Sequence, residues 1–142
     1  MEQTAGPNDP RNATSMTPFW LRHIVSSCPL KIERVEWHDP QLTIGGSAWY
    51  FNTIVPWRLL SSDRLITGTY DQGFEMAIQE LVGLAITGCS SSRDAPQVDP
   101  CFILSNGQQL EVFSTCASEP WTMKLPRPPI LVASPSDPRW TQ

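Results

Sequence analysis

The sequence lacks the local motifs that usually accompany enzyme chemistry. Its 142 residues contain no G-x-S-x-G elbow, no phosphate-binding P-loop and no glycine fingerprint for a dinucleotide. Only two histidines are present, so few side chains can exchange protons near neutral pH. We therefore predict no enzyme activity, no catalytic residues, no cofactor and no resident metal.

The sequence also lacks a long apolar run and a basic stripe. No stretch approaches the roughly 20 apolar residues of a membrane-spanning helix, and the polar N-terminal residues do not resemble an ordinary secretory signal. A net charge of −4 offers little to displace phosphate counterions from a nucleic acid. These features predict a cytoplasmic protein that binds neither membranes nor nucleic acids.

The four cysteines show no sign of a metal site. They form no C-x-x-C pair, and no histidine stands at zinc-ligand spacing from them. Because cytosolic thiols stay reduced, we expect most of these side chains to serve as small buried hydrophobic groups. Whether any of them pair is left open.

One short stretch could bind a metal or share a proton. It contains Glu33, Glu36, His38 and Asp39, and on a strand Glu36 and His38 would point to the same face. We favour the alternative that this stretch is an exposed strand end running into a turn. An unrecognised enzyme that uses Glu36, His38 or Asp39 stays as a third functional hypothesis.

The sequence does contain a succession of short alternating stretches separated by turn residues. Asn106-Gly107 and Gly45-Gly46 each stand between apolar stretches and predict β-hairpins, since glycine accepts the positive φ of a tight turn. A slip in the alternation at Glu33-Arg34 predicts a β-bulge. Together, these signals predict five to eight short strands.

One convincing amphipathic helix follows Asp71, which is a suitable N-cap, and ends before Gly83. Its apolar positions recur at helical spacing: Phe74, Ala77, Ile78 and Leu81. A shorter helix is predicted between Thr17 and Pro29. The fold class is therefore predicted as α+β, a strongly bent antiparallel β-sheet or partial barrel of hairpins with one amphipathic helix packed on it.

The chain is predicted to contain a single domain at residues 17–135. Residues 1–16 carry few apolar side chains and are expected to form a disordered N-terminal tail. Residues 136–142 follow a proline-rich stretch and are expected to form an irregular C-terminal tail.

Two groups of residues are candidates for binding a partner. Between positions 61 and 80 there are four acidic residues and one arginine, which predicts either a solvated face or an interface for a basic partner. Aromatic and arginine side chains near position 55 are either core anchors or part of a binding patch. The predicted partner-binding residues are Tyr50, Trp57, Arg58, Asp63, Asp71, Glu75 and Glu80.

Several short motifs in residues 30–135 carry a family resemblance. They are Pro56-Trp57-Arg58, the strand at 65–68, the Asn106-Gly107-x-x-Leu110 hairpin and the strand at Trp121. The succession resembles a small family of uncharacterised bacterial domains that are presumed to be immunity proteins of polymorphic toxin systems. The resemblance implies a binding role and supplies no catalytic residues.

The leading hypothesis is therefore an immunity or antitoxin-like protein that neutralises a partner toxin by direct contact. Its small size, its acidity and its lack of catalytic motifs motivate this hypothesis, and a basic toxin domain would be steered to it by charge. The alternative is a structural or regulatory interaction module that self-assembles or joins a larger complex. The oligomeric state is left open.

Overall fold

The computed structural model describes residues 17–142, so the predicted disorder of residues 1–16 lies outside the described residues. The described chain forms eleven strands, two α-helices and a C-terminal 3₁₀ helix. The helices are α1 (Phe19–Ser27), α2 (Phe74–Gln79) and the 3₁₀ helix (Pro138–Thr141). The strands are β1 (Leu30–Lys31), β2 (Arg34–His38), β3 (Gln41–Gly45), β4 (Tyr50–Thr53), β5 (Trp57–Ser61), β6 (Arg64–Gly68), β7 (Ala85–Ser91), β8 (Pro100–Leu104), β9 (Gln108–Val112), β10 (Trp121–Lys124) and β11 (Leu131–Val132).

The strands are divided between two antiparallel sheets. One has six strands in the order β1-β7-β8-β9-β5-β6, and the other has five in the order β11-β10-β4-β3-β2. The inner faces share one core, in which the rings of Phe51 on β4 and Phe102 on β8 lie 4.9 Å apart. The prediction of an antiparallel α+β fold is confirmed. The strands of residues 17–142 do not close into a barrel, so the partial barrel is not confirmed.

The division into two sheets begins at Ile32 and Glu33. The Ile32 N–H donates to the carbonyl of Leu84 at 2.8 Å, beside the six-stranded sheet. The next N–H, that of Glu33, donates to Gly45 in the five-stranded sheet, also at 2.8 Å. The slip in alternation was therefore wrongly interpreted as a bulge, because the chain changes sheets there and its buried face changes with it.

The two hairpins predicted from glycine turns have different outcomes. Asn106-Gly107 joins β8 to β9, and Gly107 has φ +90°, so this prediction is confirmed. The second hairpin also forms, between β3 and β4, but Gly45 pairs with Tyr50 within it, so residues 46–49 form the turn and not the glycine pair. Glycine is needed there for space, because a Cβ on Gly46 would lie 2.5 Å from the indole nitrogen of Trp49.

The helices differ from the prediction in their relative length. The helix α1 begins after Pro18, spans nine residues and buries Trp20 and Ile24 completely against the core. The helix predicted from Asp71 to Gly83 is only the six residues of α2. Its buried residues are Phe74 and Ile78, and the chain forms turns immediately before and after it. The longer helix is therefore α1, and the prediction that the helix after Asp71 would be the main one was wrong.

The C-terminal residues contain regular structure where an irregular tail was predicted. The ring of Trp140, in the 3₁₀ helix, stacks on Trp20 at 6.0 Å and meets Trp121 at 5.4 Å. The three indole N–H groups donate to acceptors on three consecutive residues, 97–99, each at 3.2 Å. Burial of these large rings explains why the chain end is ordered against the domain.

Candidate functional site

The most exposed large apolar side chains of residues 17–142 all lie between positions 65 and 76. They are Met76, Tyr70 and Leu65, with exposed fractions of 81%, 64% and 59%. Single exposed apolar side chains are common on protein surfaces, but a concentration of them often marks an interaction site. Methionine and tyrosine are also enriched in protein interfaces. This segment is therefore the candidate functional site.

Tyr70 has an unusual backbone conformation within this segment. It is the third residue of a turn closed by the Asp71 N–H, which donates to the carbonyl of Gly68 at 3.0 Å. Its φ is +65°, in the left-handed region where a side chain costs about 1–2 kcal/mol relative to the ordinary conformation. A glycine would avoid this cost, so the contacts of the tyrosine side chain must offset it.

The contacts of Tyr70 join three parts of the chain. Its ring meets Trp37 of β2 edge-on at 5.7 Å and Phe74 of α2 at 6.4 Å. Its hydroxyl donates to Oδ1 of Asp39, in the β2–β3 turn, at 2.5 Å. That hydrogen bond to a carboxylate raises the pKa of Tyr70 above its ordinary value. The ring is thus held in one orientation although most of its surface is exposed.

The aromatic rings beneath Tyr70 connect this position to the core. Phe74 is buried and meets Trp37 edge-on at 5.0 Å, and the ring of Trp57 lies 5.9 Å from that of Phe74. The amide of Gln79 donates to the carbonyl of Val35 at 2.8 Å and ties α2 to β2. The exposed groups therefore stand on a rigid base, which reduces the entropy lost when a partner binds. We call these exposed groups the Tyr70 surface: Trp37, Asp39, Tyr70, Asp71, Glu75 and Met76.

The chain segments that build the Tyr70 surface carry a strong negative balance. Residues 35–57 and 65–92 contain no lysine or arginine at all. The carboxylates of Asp39, Asp71 and Glu75 belong to this surface, and Glu80 follows at the end of α2. Arg58, the cross-strand neighbour of Gly68, is paired with Glu111, so these carboxylates are left to attract a positively charged partner.

Four of the predicted partner-binding residues are exposed acids. Asp71, Glu75 and Glu80 lie before, on and after α2, so all three border this one short helix. Asp63 is exposed in the β5–β6 turn, at the far end of β6 from Tyr70. The five residues of β6 separate the two positions by about 17 Å.

The other predicted partner-binding residues lie elsewhere. Trp57 is only 3% exposed and is part of the core under α2. Arg58 forms an ion pair with Glu111 at 3.1 Å and lies 4.9 Å above the ring of Phe113, on the outer face of the six-stranded sheet. Tyr50 is half-buried in the other sheet. None of these three residues is an exposed member of the Tyr70 surface, although Trp57 packs against Phe74 beneath it.

Sequence reasoning missed four members of the Tyr70 surface: Trp37, Asp39, Tyr70 and Met76. One signal could have identified Met76, because it falls on the polar side of the helical pattern defined by Phe74 and Ile78. The role of Tyr70 depends on its left-handed turn and on a partner 31 positions away, which periodicity does not indicate.

The stretch from Glu33 to Asp39 does not assemble a metal site. Within residues 17–142, no three His, Cys, Asp or Glu side chains lie close enough to hold a metal ion. Asp39 accepts the hydrogen bond of Tyr70, and Glu36 lies 4.0 Å from the guanidinium of Arg34.

None of the helices in the described chain has the length and apolar character required to cross a bilayer.

The buried thiols are poor nucleophiles. Burial raises the pKa of Cys101 to about 11 and that of Cys89 well above its ordinary value. Burial also raises the pKa of Cys28. A thiol that stays protonated near neutral pH does not attack or bind metal efficiently, so these three side chains fit a structural role.

Comparison of the chain with protein-family models, with curated proteins and with solved structures finds no match. The resemblance of residues 30–135 to presumed immunity proteins therefore stays a prediction.

Proposed function

We propose that this protein binds and neutralises a basic protein partner, in the manner of an immunity protein or antitoxin, and that the Tyr70 surface makes the contact. The observation that carries the proposal is that the two most exposed large apolar side chains of residues 17–142, Met76 and Tyr70, both belong to this surface. The segment at 65–76 is also acidic and free of lysine and arginine. All four cysteines are unpaired, which supports a reducing, cytoplasmic location.

The Tyr70 surface offers two kinds of contact to a basic partner. The exposed ring of Tyr70 and the half-buried ring of Trp37 can accept a lysine or arginine side chain over their faces. The carboxylates of Asp39 and Glu75 lie on the same surface and can accept charge-assisted hydrogen bonds. Met76 adds a flexible apolar side chain that adapts to the shape of the partner.

Charge reversal tests this proposal. The partner is captured from the native cell with the wild-type protein, and its affinity is then measured by calorimetry at several salt concentrations. The double variant Glu75→Lys/Glu80→Lys should lose at least about tenfold in affinity, or about 1.4 kcal/mol, and should show a weaker salt dependence. Neither glutamate forms an ion pair with another residue of 17–142, so the fold should be retained.

The matched control is Asp94→Lys/Glu119→Lys, which changes the net charge equally at two exposed acids far from the Tyr70 surface in sequence. It should bind with nearly unchanged affinity. Equal losses for the two double variants would mean that only the net charge matters. Unchanged affinity for Glu75→Lys/Glu80→Lys would remove the Tyr70 surface from the interface.

A second candidate function is self-assembly, which the outer face of the six-stranded sheet favours. Leu60 is the cross-strand partner of Leu65 on one side and of Gln109 on the other, and Gln109 is the partner of Ile103. Leu65 and Ile103 are both exposed, so a row of three apolar side chains and one glutamine crosses this face. Sedimentation equilibrium discriminates the two functions, because self-assembly predicts a mass that rises with concentration and falls again in Leu65→Lys.

A further inference from the structure

A cavity of about 220 Å³ lies at the end of the six-stranded sheet where β7 and β9 end and β8 begins. It corresponds to the volume of about seven water molecules, and it is smaller than the pockets of about 300 Å³ or more that hold drug-sized ligands. Four polar residues and three apolar residues line it: Ser92, Arg93, Asp99 and Ser114, with Pro96, Val98 and Phe113. The cavity shares no residue with the Tyr70 surface.

Asp99 is a buried carboxylate without a cationic partner. It is 7% exposed, and no basic side chain of residues 17–142 forms an ion pair with it. Its Oδ2 accepts the Ser114 N–H at 2.6 Å. Its Oδ1 accepts the Ser114 hydroxyl and the Trp121 indole N–H, the latter at 3.2 Å.

These hydrogen bonds leave part of the carboxylate unused. Each carboxylate oxygen has two acceptor positions, so both positions of Oδ1 are taken and one position of Oδ2 is not. Burial of a charge that has only neutral partners is unfavourable. A cation in the cavity beside Asp99 would use the remaining position and balance the charge.

Two further features define the ligand. The guanidinium side chain of Arg93 is exposed, lines the same cavity and forms no ion pair with the described residues, so it can bind a carboxylate. The rings of Pro96 and Phe113 and the side chain of Val98 form an apolar wall for a small hydrocarbon group. The segment that carries Val98 and Asp99 is held in place, because three indole N–H groups donate to residues 97–99.

We propose that this cavity binds a small apolar amino acid, with its ammonium group on Asp99 and its carboxylate on Arg93. This inference goes beyond the proposed function and does not depend on it. A ligand with only an ammonium group would leave the positive charge of Arg93 unbalanced. A ligand with only a carboxylate would leave the negative charge of Asp99 unbalanced. The zwitterion satisfies both groups and places its side chain against the apolar wall.

Titration of the native protein followed by amide NMR tests this proposal, with L-valine, isobutylamine and isobutyrate as probes. Valine should bind with a dissociation constant below about 1 mM and shift the amide signals of Val98 and Ser114. Each single-charge probe should bind at least about tenfold more weakly. No valine binding, shifts confined to another surface, or equal affinity for valine and isobutylamine would each overturn the proposal.

Arg93 is exposed, so a substitution there avoids the risk of unfolding that Asp99→Asn carries. Arg93→Gln should weaken valine binding by at least about tenfold and should not weaken isobutylamine binding, because the guanidinium repels that ammonium. Arg127→Gln, which changes an exposed arginine that does not line the cavity, should bind valine as the wild type does. An unchanged affinity for valine in Arg93→Gln would refute the assigned role of the guanidinium.

Discussion

Replacing Trp140 by alanine should lower the free energy of unfolding by about 2–4 kcal/mol. The ring makes two aromatic contacts, with Trp20 at 6.0 Å and with Trp121 at 5.4 Å. Each such contact contributes about 0.5–1.5 kcal/mol beyond the burial of area. The indole N–H donates to the carbonyl of Val98, which contributes about 0.5–1.5 kcal/mol. Because Trp140 is half-buried, the loss should stay below the largest values for core tryptophans.

Urea denaturation followed by far-UV circular dichroism measures this loss without using tryptophan as the probe. With an m-value of about 2 kcal/mol/M, the urea concentration at the unfolding midpoint should fall by about 1–2 M. Trp140→Phe keeps a stacked ring and loses the N–H, so it should cost about 1 kcal/mol. Arg139→Ala removes only an exposed ion pair with Asp137 and should change stability by less than about 0.5 kcal/mol.

The result that would refute this reasoning is a loss below about 0.5 kcal/mol for Trp140→Ala. The C-terminal residues would then contribute little to the domain, as the irregular tail predicted from sequence would. A loss as large in Arg139→Ala as in Trp140→Ala would also contradict the account, because it would assign the stability to the exposed charge and not to the ring.

Three further predictions concern single positions. Gly46→Ala should lower the free energy of unfolding by about 1–3 kcal/mol in urea denaturation, whereas Gly88→Ala should have little effect because its nearest neighbour lies 3.5 Å from the new Cβ. Absorbance titration should show a Tyr70 pKa above the usual value of about 10 that falls in Asp39→Asn. Because the pKa of Tyr70 is raised in the folded state, its contribution to the free energy of unfolding is fully present below about pH 10 and is lost as pH rises through the folded pKa. Unfolding curves that show no such loss would contradict the assignment. Ellman's reagent should modify Cys116, which is exposed, at once, the half-buried Cys28 and Cys89 more slowly, and the buried Cys101 only on unfolding.

The sequence predicts best what local chemistry decides. The β8–β9 hairpin follows from Asn106-Gly107, where the turn type needs a positive φ that glycine adopts without strain. The glycine pair at 45–46 has the same local appearance but a different cause, because Trp49 and the backbone of Lys31 occupy the space of a side chain. That cause is a tertiary contact, which turn propensity does not contain.

The same distinction explains the outcome for the candidate site. Asp71, Glu75 and Glu80 could be identified from the run of acids in the sequence, since all three lie within ten positions of one another along the chain. Tyr70 could not, because its orientation depends on Trp37 and Asp39, which the fold brings from a distant strand and turn. The change of sheets at residues 32–33 likewise depends on pairing partners far along the chain.

Site-specific photocrosslinking in the native cell tests the central claim that the Tyr70 surface binds a basic protein. A photoreactive amino acid is placed at Met76 and, as a control with a comparably exposed apolar side chain away from this surface, at Ile130. The account predicts one adduct from position 76 with a partner of net positive charge, and a much weaker adduct when Glu75→Lys/Glu80→Lys is combined with it. An adduct that forms equally from position 130, or one that survives the charge reversal undiminished, would contradict it.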